Sequence, residues 1–367
     1  MSRRESARQA LYKSIYEIAG RCVPQYITSG DQDIGTSRRR AREVGFITQT
    51  ADTLHYASCP NFMAKRGKVQ TWIEYAVARA IFATLNAMPM KWAMATGRGL
   101  GRVAYFAAGH LRLTGDRNLK LAFPDKTEEE RQRLLKGTFA GLGRQLGLFS
   151  KFASGSRESL LAVTRWEGLE HLESAKAAKR PIILFTGHVG AWELSSFGLS
   201  LRESPISFLV RRLDNPKVEE IVDRVRTRFG NQSVDKRGAA RPMLNILRSG
   251  GTLGLLVDLN TLDEEAIFVD FFGVPASTTF MLAKLALRTN AIVLPIFAPW
   301  DENSGKFLVH ILPPVSVERT GDEEEDIRKL TASLTKVVEE YIRRYPDQWL
   351  WIHKRWKTRP KGEPELY

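Results

Sequence analysis

Short apolar runs alternate with helical patterns over the second half of the chain. The runs are PIILF, ISFLV, TLGLLV, AIVLPIF and KFLVHIL, and each is followed by a glycine, a proline or a charged residue within a few positions. Helical patterns lie between and after them, over residues 192–203, 215–229, 238–249, 278–288 and 322–344. Strands that alternate with helices predict βαβ units. We therefore expect an α/β fold with a largely parallel central sheet flanked by helices.

The first half of the chain shows helical patterns without strands. Two helices rich in Ala, Ile, Leu and Met are predicted over 72–90 and 91–111, and Pro89 ends or kinks the first of them. A long amphipathic helix follows, and Thr127 with Glu130 predicts a capping box at its start.

Changes in composition divide the chain into four predicted segments. These are a poorly ordered basic extension (1–68), membrane-associating helices (69–115), an α/β domain (116–360) and a short tail (361–367). Met63 opens a stretch that is first basic and then apolar, and it looks like the start of a reading frame. Residues 1–62 are therefore either an upstream extension or part of the mature protein.

The helices of residues 69–115 allow two interpretations. They are core helices of a soluble protein, or they lie in a membrane interface with basic residues toward anionic headgroups. Trp72 and Trp92 flank the first helix, as interfacial aromatic residues do. No uninterrupted apolar stretch of about 20 residues predicts a spanning helix, and the N-terminus lacks the apolar region of a signal peptide.

A strongly basic composition indicates a polyanionic partner. The formal net charge is +14, which suits nucleic acid, an anionic membrane surface or a phosphorylated substrate. The chain has two cysteines, Cys22 and Cys59, and six scattered histidines, none of them at metal-ligand spacing. We therefore expect neither a metal site nor a disulfide framework.

Basic and aromatic residues interleave near the end of the chain, in RRYPDQWLWIHKRWKTRP (343–360). Stacking platforms for single-stranded nucleic acid combine the same residue types, but no recognisable nucleic-acid module accompanies them. We expect instead that Trp349 and Trp351 pack against the sheet, while residues 354–359 either face phosphates or form a solvated surface.

The stretch FTGHVGAWELSSF carries the main candidate for catalysis. His188 follows the PIILF strand, at the edge of the sheet where sites are expected, and Glu193 comes five positions later. Residues five apart on a helix lie about 140° apart around its axis, so the two side chains can meet only if His188 lies in a turn before the helix. Gly187 and Gly190 permit that turn. Glu193 would then fix the tautomer of a general base; alternatively, His188 is structural and Glu193 only favours the helix dipole.

TGHVGAWEL resembles the His-x4-Asp/Glu box of glycerolipid acyltransferases, and more closely that of the lipid A biosynthesis (lauroyl and myristoyl) acyltransferases. Five further segments resemble that family in the same order, which extends the resemblance over about 63–360. They are RNLKLAFPDKTEEER, VRRLDNPKVEE, LGLLVDLN, VDFFGVPASTTFMLAKLALRTNAIVLPIF and YPDQWLWIHKRWKTRP.

The resemblance implies acyl transfer, without a cofactor, from acyl carrier protein or acyl-CoA to a hydroxyl of a phosphorylated glycolipid such as a lipid A precursor. His188 would be the base and Glu193 its orienter. Arg211 would contact phosphate or polarise the thioester carbonyl, and Asp258 would orient Arg211 or the acceptor; otherwise they are a surface Arg and a turn-forming Asp. The implied location is the cytoplasmic face of the inner membrane, on anionic lipid.

Departures from the family pattern leave the acceptor open. Val210-Arg211-Arg212 stands where the family usually has Tyr-Arg-Pro, and Leu259 stands where it has Gln. A related branch acylates phosphatidylinositol mannosides and is the alternative. Ser277 and Thr278, near a predicted helix start, would contact a headgroup or anion, or simply cap that helix.

Overall fold

The computed structural model describes residues 67–262 and 266–367. The expectations for residues 1–62, and nearly all of the predicted extension 1–68, lie outside the described residues.

Four long helices precede the sheet. They are α1 (Lys68–Ala87), α2 (Met90–Ala107), α3 (Gly109–Ala122) and α4 (Glu128–Phe152). The predicted helix over 91–111 is wrong at its end, because the backbone leaves helical geometry at Ala108 (φ −98°, ψ 62°) and a new helix begins there. The predicted boundary between 115 and 116 therefore falls inside α3. The capping box is confirmed: Thr127 N donates to Glu130 Oε2 at 2.8 Å, and Glu130 N donates to Thr127 Oγ1 at 3.3 Å.

A sheet with interspersed helices forms the rest of the described chain. The strands are β1 (Thr164–Glu167), β2 (Ile182–Thr186), β3 (Ser207–Val210), β4 (Gln232–Asp235), β5 (Thr252–Leu256), β6 (Ala266–Phe271), β7 (Val274–Thr279), β8 (Ile292–Phe297), β9 (Trp300–Asp301) and β10 (Lys306–Ile311). The helices are α5 (Arg157–Leu161), α6 (Leu169–Ala177), α7 (Glu193–Leu201), α8 (Pro216–Thr227), α9 (Ala240–Arg248), α10 (Met281–Thr289) and α11 (Glu323–Arg344).

The main sheet has the strand order β1-β10-β8-β2-β5-β3-β4, with β9 paired to β10. Neighbouring strands along this order run parallel, except that β10 is antiparallel to β8. The α/β fold with a largely parallel central sheet is therefore confirmed. A separate antiparallel hairpin of β6 and β7 was not predicted.

Apolar side chains cover both faces of the central strands. Ile183 and Phe185 of β2 belong to one buried cluster, and Ile182 and Leu184 belong to the other. Successive residues of a strand point to opposite faces, so the continuous apolar run of β2 fills two cores at once. Within the described ranges, no helix is both long enough and apolar enough to cross a membrane.

Candidate active site

The turn between β2 and α7 is held from two sides. Gly190 N donates to Gln348 O at 2.9 Å, and Ala191 N donates to Ala298 O at 2.8 Å. Gly190 has φ +60°, and a Cβ atom there would lie 2.3 Å from Ala298 O. The positive φ and the close approach both require glycine, which confirms the bend predicted before the helix. His188 therefore lies in a rigid turn outside α7.

His188 meets a carboxylate from a neighbouring strand. Its Nδ1 lies 2.7 Å from Asp258 Oδ1, and each of these side chains is 1% exposed. Asp258 lies two residues after the end of β5, and Thr186 at the end of β2 pairs with Leu256 at the end of β5. Because these strands are parallel, their carboxyl ends coincide and bring the two residues together. The pair has the geometry of a base with its orienting carboxylate.

Two further donors hold the other oxygen of Asp258. His188 N donates to Oδ2 at 2.6 Å and Trp349 Nε1 donates to the same atom at 2.7 Å. Burial alone would raise the pKa of the Asp258 carboxyl, but the charge of protonated His188 and these hydrogen bonds together lower it. Asp258 is therefore a carboxylate at neutral pH, fixed in one orientation.

Glu193 begins α7, within the first helical turn as predicted, but the carboxylate hydrogen-bonded to His188 Nδ1 is that of Asp258. The two oxygens of Glu193 accept from Arg226 of α8: Oε2 from Nε at 3.1 Å, and Oε1 from Nη2 at 2.5 Å. The prediction that Glu193 orients the imidazole is therefore corrected: Asp258 takes that place, and Glu193 joins α7 to α8. Within the described residues, the hydrogen bonds of Asp258 go to His188 and Trp349 rather than to Arg211, and a role of Asp258 toward the acceptor stays a prediction.

Arg211 follows β3, and its guanidinium lies 3.5 Å from Asp214. Its side chain is 32% exposed, which leaves part of the guanidinium open to solvent. Arg211 lines the same pocket as His188, Glu193 and Arg226. The structure thus brings the predicted Arg211 to the site.

Ser277 and Thr278 lie in strand β7 and not at a helix start. Both are 1% exposed. Ser277 Oγ donates to Thr261 O at 2.7 Å, and Thr278 Oγ1 donates to Ala276 O at 2.9 Å. Thr279 Oγ1 accepts from Met281 N, so Thr279 and neither predicted residue assists the start of α10. Headgroup contact by Ser277 and Thr278 has no support in this geometry, because both hydroxyls are buried and bonded.

The basic aromatic tail is largely internal. Trp349, Trp351 and Trp356 are fully buried, which confirms the predicted packing of the first two and leaves no open ring face for a stacked base. Arg355 is also fully buried; it donates to Ser277 O and to Thr278 Oγ1, at 2.6 Å each. Burial lowers the pKa of Arg355 to about 10. The expectation that all basic residues of 354–359 face phosphates is therefore wrong for Arg355.

An apolar pocket opens beside the imidazole. Its apolar lining comes mainly from β2, β3 and β5 and from residues beside them; it includes Leu184, Trp192, Ile206, Phe208, Leu256 and Ile296. His188, Glu193, Arg211 and Arg226 supply charged or titratable groups. Over residues 67–262 and 266–367, no group of three or more His, Cys, Asp or Glu is placed to hold a metal ion.

Comparison with known proteins assigns the chain to a family. A family model described as "Bacterial lipid A biosynthesis acyltransferase" matches residues 59–358. This chain belongs to the bacterial lipid A biosynthesis acyltransferase family. It is accordingly an acyltransferase, as the resemblance of its His box implied.

Three relatives illustrate the similarity to this acyltransferase family. A lipid A biosynthesis acyltransferase of Haemophilus influenzae is 29% identical over 70% of this chain and 78% of its own length. The lipid A biosynthesis lauroyltransferase of Escherichia coli K12 is 30% identical over 74% of this chain and 87% of its own length. The lipid A biosynthesis myristoyltransferase of that organism is 25% identical over 68% of this chain and 76% of its own length.

Two contacts of the candidate site were not predicted. Arg226 was assigned only to a helical stretch, and no signal in the sequence links it to Glu193. Trp349 was expected to pack, but its N–H was not connected with Asp258. The sequence did contain a signal for the contact of Asp258 with His188. Both residues follow predicted strands, and the carboxyl ends of parallel strands lie at the same edge of a sheet.

Proposed function

We propose that this chain transfers a fatty acyl group from an acyl thioester to a hydroxyl of a phosphorylated glycolipid, a lipid A precursor, with His188 as general base. The observation that carries the proposal is the buried His188–Asp258 pair beside an apolar pocket. Asp258 engages Nδ1, so Nε2 is the nitrogen that takes the proton.

The reaction needs one proton transfer in each direction. His188 removes the proton of the acceptor hydroxyl, whose oxygen attacks the thioester carbonyl carbon. The tetrahedral intermediate collapses with cleavage of the C–S bond, and the leaving thiolate takes the proton from His188. Asp258 stabilises the imidazolium between these steps. No covalent acyl-enzyme intermediate is required, because the base activates the acceptor directly.

Separate parts of the pocket suit the two ends of the donor. The apolar lining accepts the hydrocarbon chain, whose burial contributes about 0.8 kcal/mol per CH₂. Arg211 follows β3 and lines the same pocket, which supports a role for its guanidinium in stabilising the developing oxyanion or contacting an acceptor phosphate. These features serve an acyl carrier protein or acyl-CoA donor equally.

Helices α1 to α3 rest on the cytoplasmic face of the inner membrane, against anionic lipid. Their exposed apolar side chains include Trp92 (67%), Val103 (64%) and Phe106 (74%). The three helices contain two acidic residues, the buried Glu74 and the half-buried Asp116. Their exposed charges are consequently cationic, at Lys68, Arg79, Lys91, Arg102, Arg117 and Lys120. Apolar side chains with surrounding cations are the combination that binds anionic interfaces.

Acyl transfer is tested with purified protein, a lipid A precursor, and acyl carrier protein or CoA thioesters as donors. We expect transfer by the unaltered chain, and a loss of at least about 100-fold in His188→Ala. His171→Ala, a partly exposed histidine of α6, is the matched control and should keep full activity. Retained transfer by His188→Ala would refute the base role. Transfer to a phosphatidylinositol mannoside alone would select the alternative acceptor.

Membrane binding is tested by flotation with vesicles of phosphatidylglycerol. The double variant Trp92→Ser/Phe106→Ser should lose most of the bound fraction. Phe268→Ser, which changes an exposed aromatic residue of the β6–β7 hairpin (42%), should keep it. Equal loss in both proteins, or complete release of the unaltered chain by high salt, would contradict the proposed apolar contact.

A further inference from the structure

Trp349 contacts Asp258 and the residue that follows His188, and it does so with different groups. Its backbone forms a β-bridge with Val189, the residue after His188. Its indole Nε1 donates to Asp258 Oδ2 at 2.7 Å. Trp349 thus contacts two parts of the site: the turn that carries His188, and the Asp258 carboxylate that orients His188.

The indole cannot easily turn away from the carboxylate. Trp349 is fully buried, and its ring makes edge-to-face contacts with Phe271 and Trp351, at centroid distances of 5.5 Å and 4.6 Å. The tail is itself fastened: Asn118 Nδ2 donates to Trp351 O at 2.5 Å and to His353 O at 2.6 Å. Packing and hydrogen bonds therefore fix the direction of the Nε1–H bond.

The two donors to Oδ2 determine what Oδ1 can do. His188 N and Trp349 Nε1 both bond Oδ2, while Oδ1 faces His188 Nδ1. A hydrogen bond to a carboxylate disperses its charge and makes it a weaker proton acceptor. Loss of the indole N–H would concentrate charge on Asp258 and strengthen its hold on protonated His188.

We propose that Trp349 is a positioning residue that orients Asp258 and tunes the proton affinity of the His188–Asp258 pair. This inference rests on the proposed function, because it assumes that His188 is the base. Trp349 acts only through Asp258 and contacts neither donor nor acceptor in this role.

Other charged or titratable groups near the pair must be considered in any pH dependence. They are His353 and Arg355 of the tail, Arg211 after β3, and Glu193 with Arg226 between α7 and α8. Burial lowers the pKa of His353 to about 3 and that of Arg355 to about 10. Neither residue therefore changes charge near neutral pH, and Trp349→Phe removes no charge from any of these groups.

The test is the pH profile of kcat/KM for Trp349→Phe and Trp351→Phe in the full chain. Both changes delete an indole N–H from a buried ring of the same tail, but Trp351 Nε1 donates to Pro346 O. The acid limb of the profile is the range in which kcat/KM falls as His188 becomes protonated. In Trp349→Phe we expect this limb to lie about one pH unit higher. At a pH below the limb, that shift corresponds to about a ten-fold loss of kcat/KM. The limb of Trp351→Phe should not move. An unmoved limb in Trp349→Phe, or an equal shift in both variants, would overturn the proposal.

A measurement on the unaltered sequence covers the case in which Trp349→Phe does not fold. In protein with ¹⁵N-labelled tryptophan, the Trp349 indole signal is the one that Asp258→Asn moves. We expect this signal to titrate with the midpoint of the acid limb. If no indole signal follows that midpoint, the proposal fails. Absence of acyl transfer by the unaltered chain would instead refute the proposed function, and that result is read independently of the indole titration.

Discussion

His188 Nδ1 and Asp258 Oδ1 lie 2.7 Å apart although the two residues are 70 positions apart in the chain. Their proximity follows from the pairing of β2 with β5, and both side chains are withdrawn from water. A buried hydrogen bond of this kind fixes the tautomer of the His188 imidazole.

Asp258→Asn tests the role of this contact. The change preserves shape but replaces a charged acceptor by an amide, which no longer stabilises an imidazolium. We expect kcat to fall about 10²- to 10⁴-fold while KM changes little. Steady-state kinetics on purified protein measure this. Asp125→Asn, at an exposed turn residue, is the control. A kcat within about three-fold of the unaltered chain would contradict the role given to Asp258.

The Glu193–Arg226 pair supports a separate prediction, because it links α7 to α8 beside the pocket. The two side chains are 14% and 19% exposed. Glu193→Ala and Arg226→Ala should each lower stability, and the double variant should lose less than the sum of the two. We expect a coupling of about 1–3 kcal/mol in urea unfolding. Additive losses would mean that the pair contributes no net coupling.

The central strands were predictable from sequence, and the edges of the sheet were not. Strands β2, β5 and β8 are continuous apolar runs because both of their faces are covered. Strands β1 and β4 are the two ends of the strand order, and their sequences TRWE and QSVD lack such a run. A half-exposed edge strand of four residues carries little hydrophobic signal.

For the candidate site, the sequence predicted where His188 and Asp258 lie but not that they contact each other. His188 and Asp258 could each be placed at the end of a strand, because a turn residue follows an apolar run in both cases. Their contact depends on strand order, since β2 and β5 are neighbours in the sheet while β3 and β4 both come between them in sequence. Short spacing favoured Glu193 as the partner of His188. Sequence spacing gives no information about Arg226, which binds the Glu193 carboxylate.

Helices α2 and α4 pack closely through glycine, which gives a third prediction. A Cβ atom on Gly143 would lie 2.1 Å from Gly97 O, whereas one on Gly141 would meet nothing within 4 Å. Gly143→Ala should therefore force the helices apart and destabilise the protein by about 1–3 kcal/mol. Gly141→Ala should be neutral or stabilise by up to about 1 kcal/mol through helix propensity. Urea unfolding compares them, and equal midpoints would refute the requirement for close contact.

We expect stability to depend on pH through His353. It is buried, its Nε2 accepts from Asn260 N at 3.0 Å, and burial lowers its pKa from 6.5 to about 3. Between those values the unfolded chain binds a proton that the folded chain does not, so the contribution of His353 to stability is complete above pH 6.5 and decreases as the pH falls toward 3.

The loss from this residue should be about 2 kcal/mol between pH 7 and pH 5. His353→Gln keeps an oxygen that can accept from Asn260 N but has no group that titrates in this range. We expect the variant to be less stable at pH 7, because the amide packs differently from the ring, but to lose about 2 kcal/mol less on acidification. Urea unfolding at both pH values measures this difference, with His171→Gln as the control. The same acid sensitivity in His353→Gln and the unaltered chain would show that another group causes it.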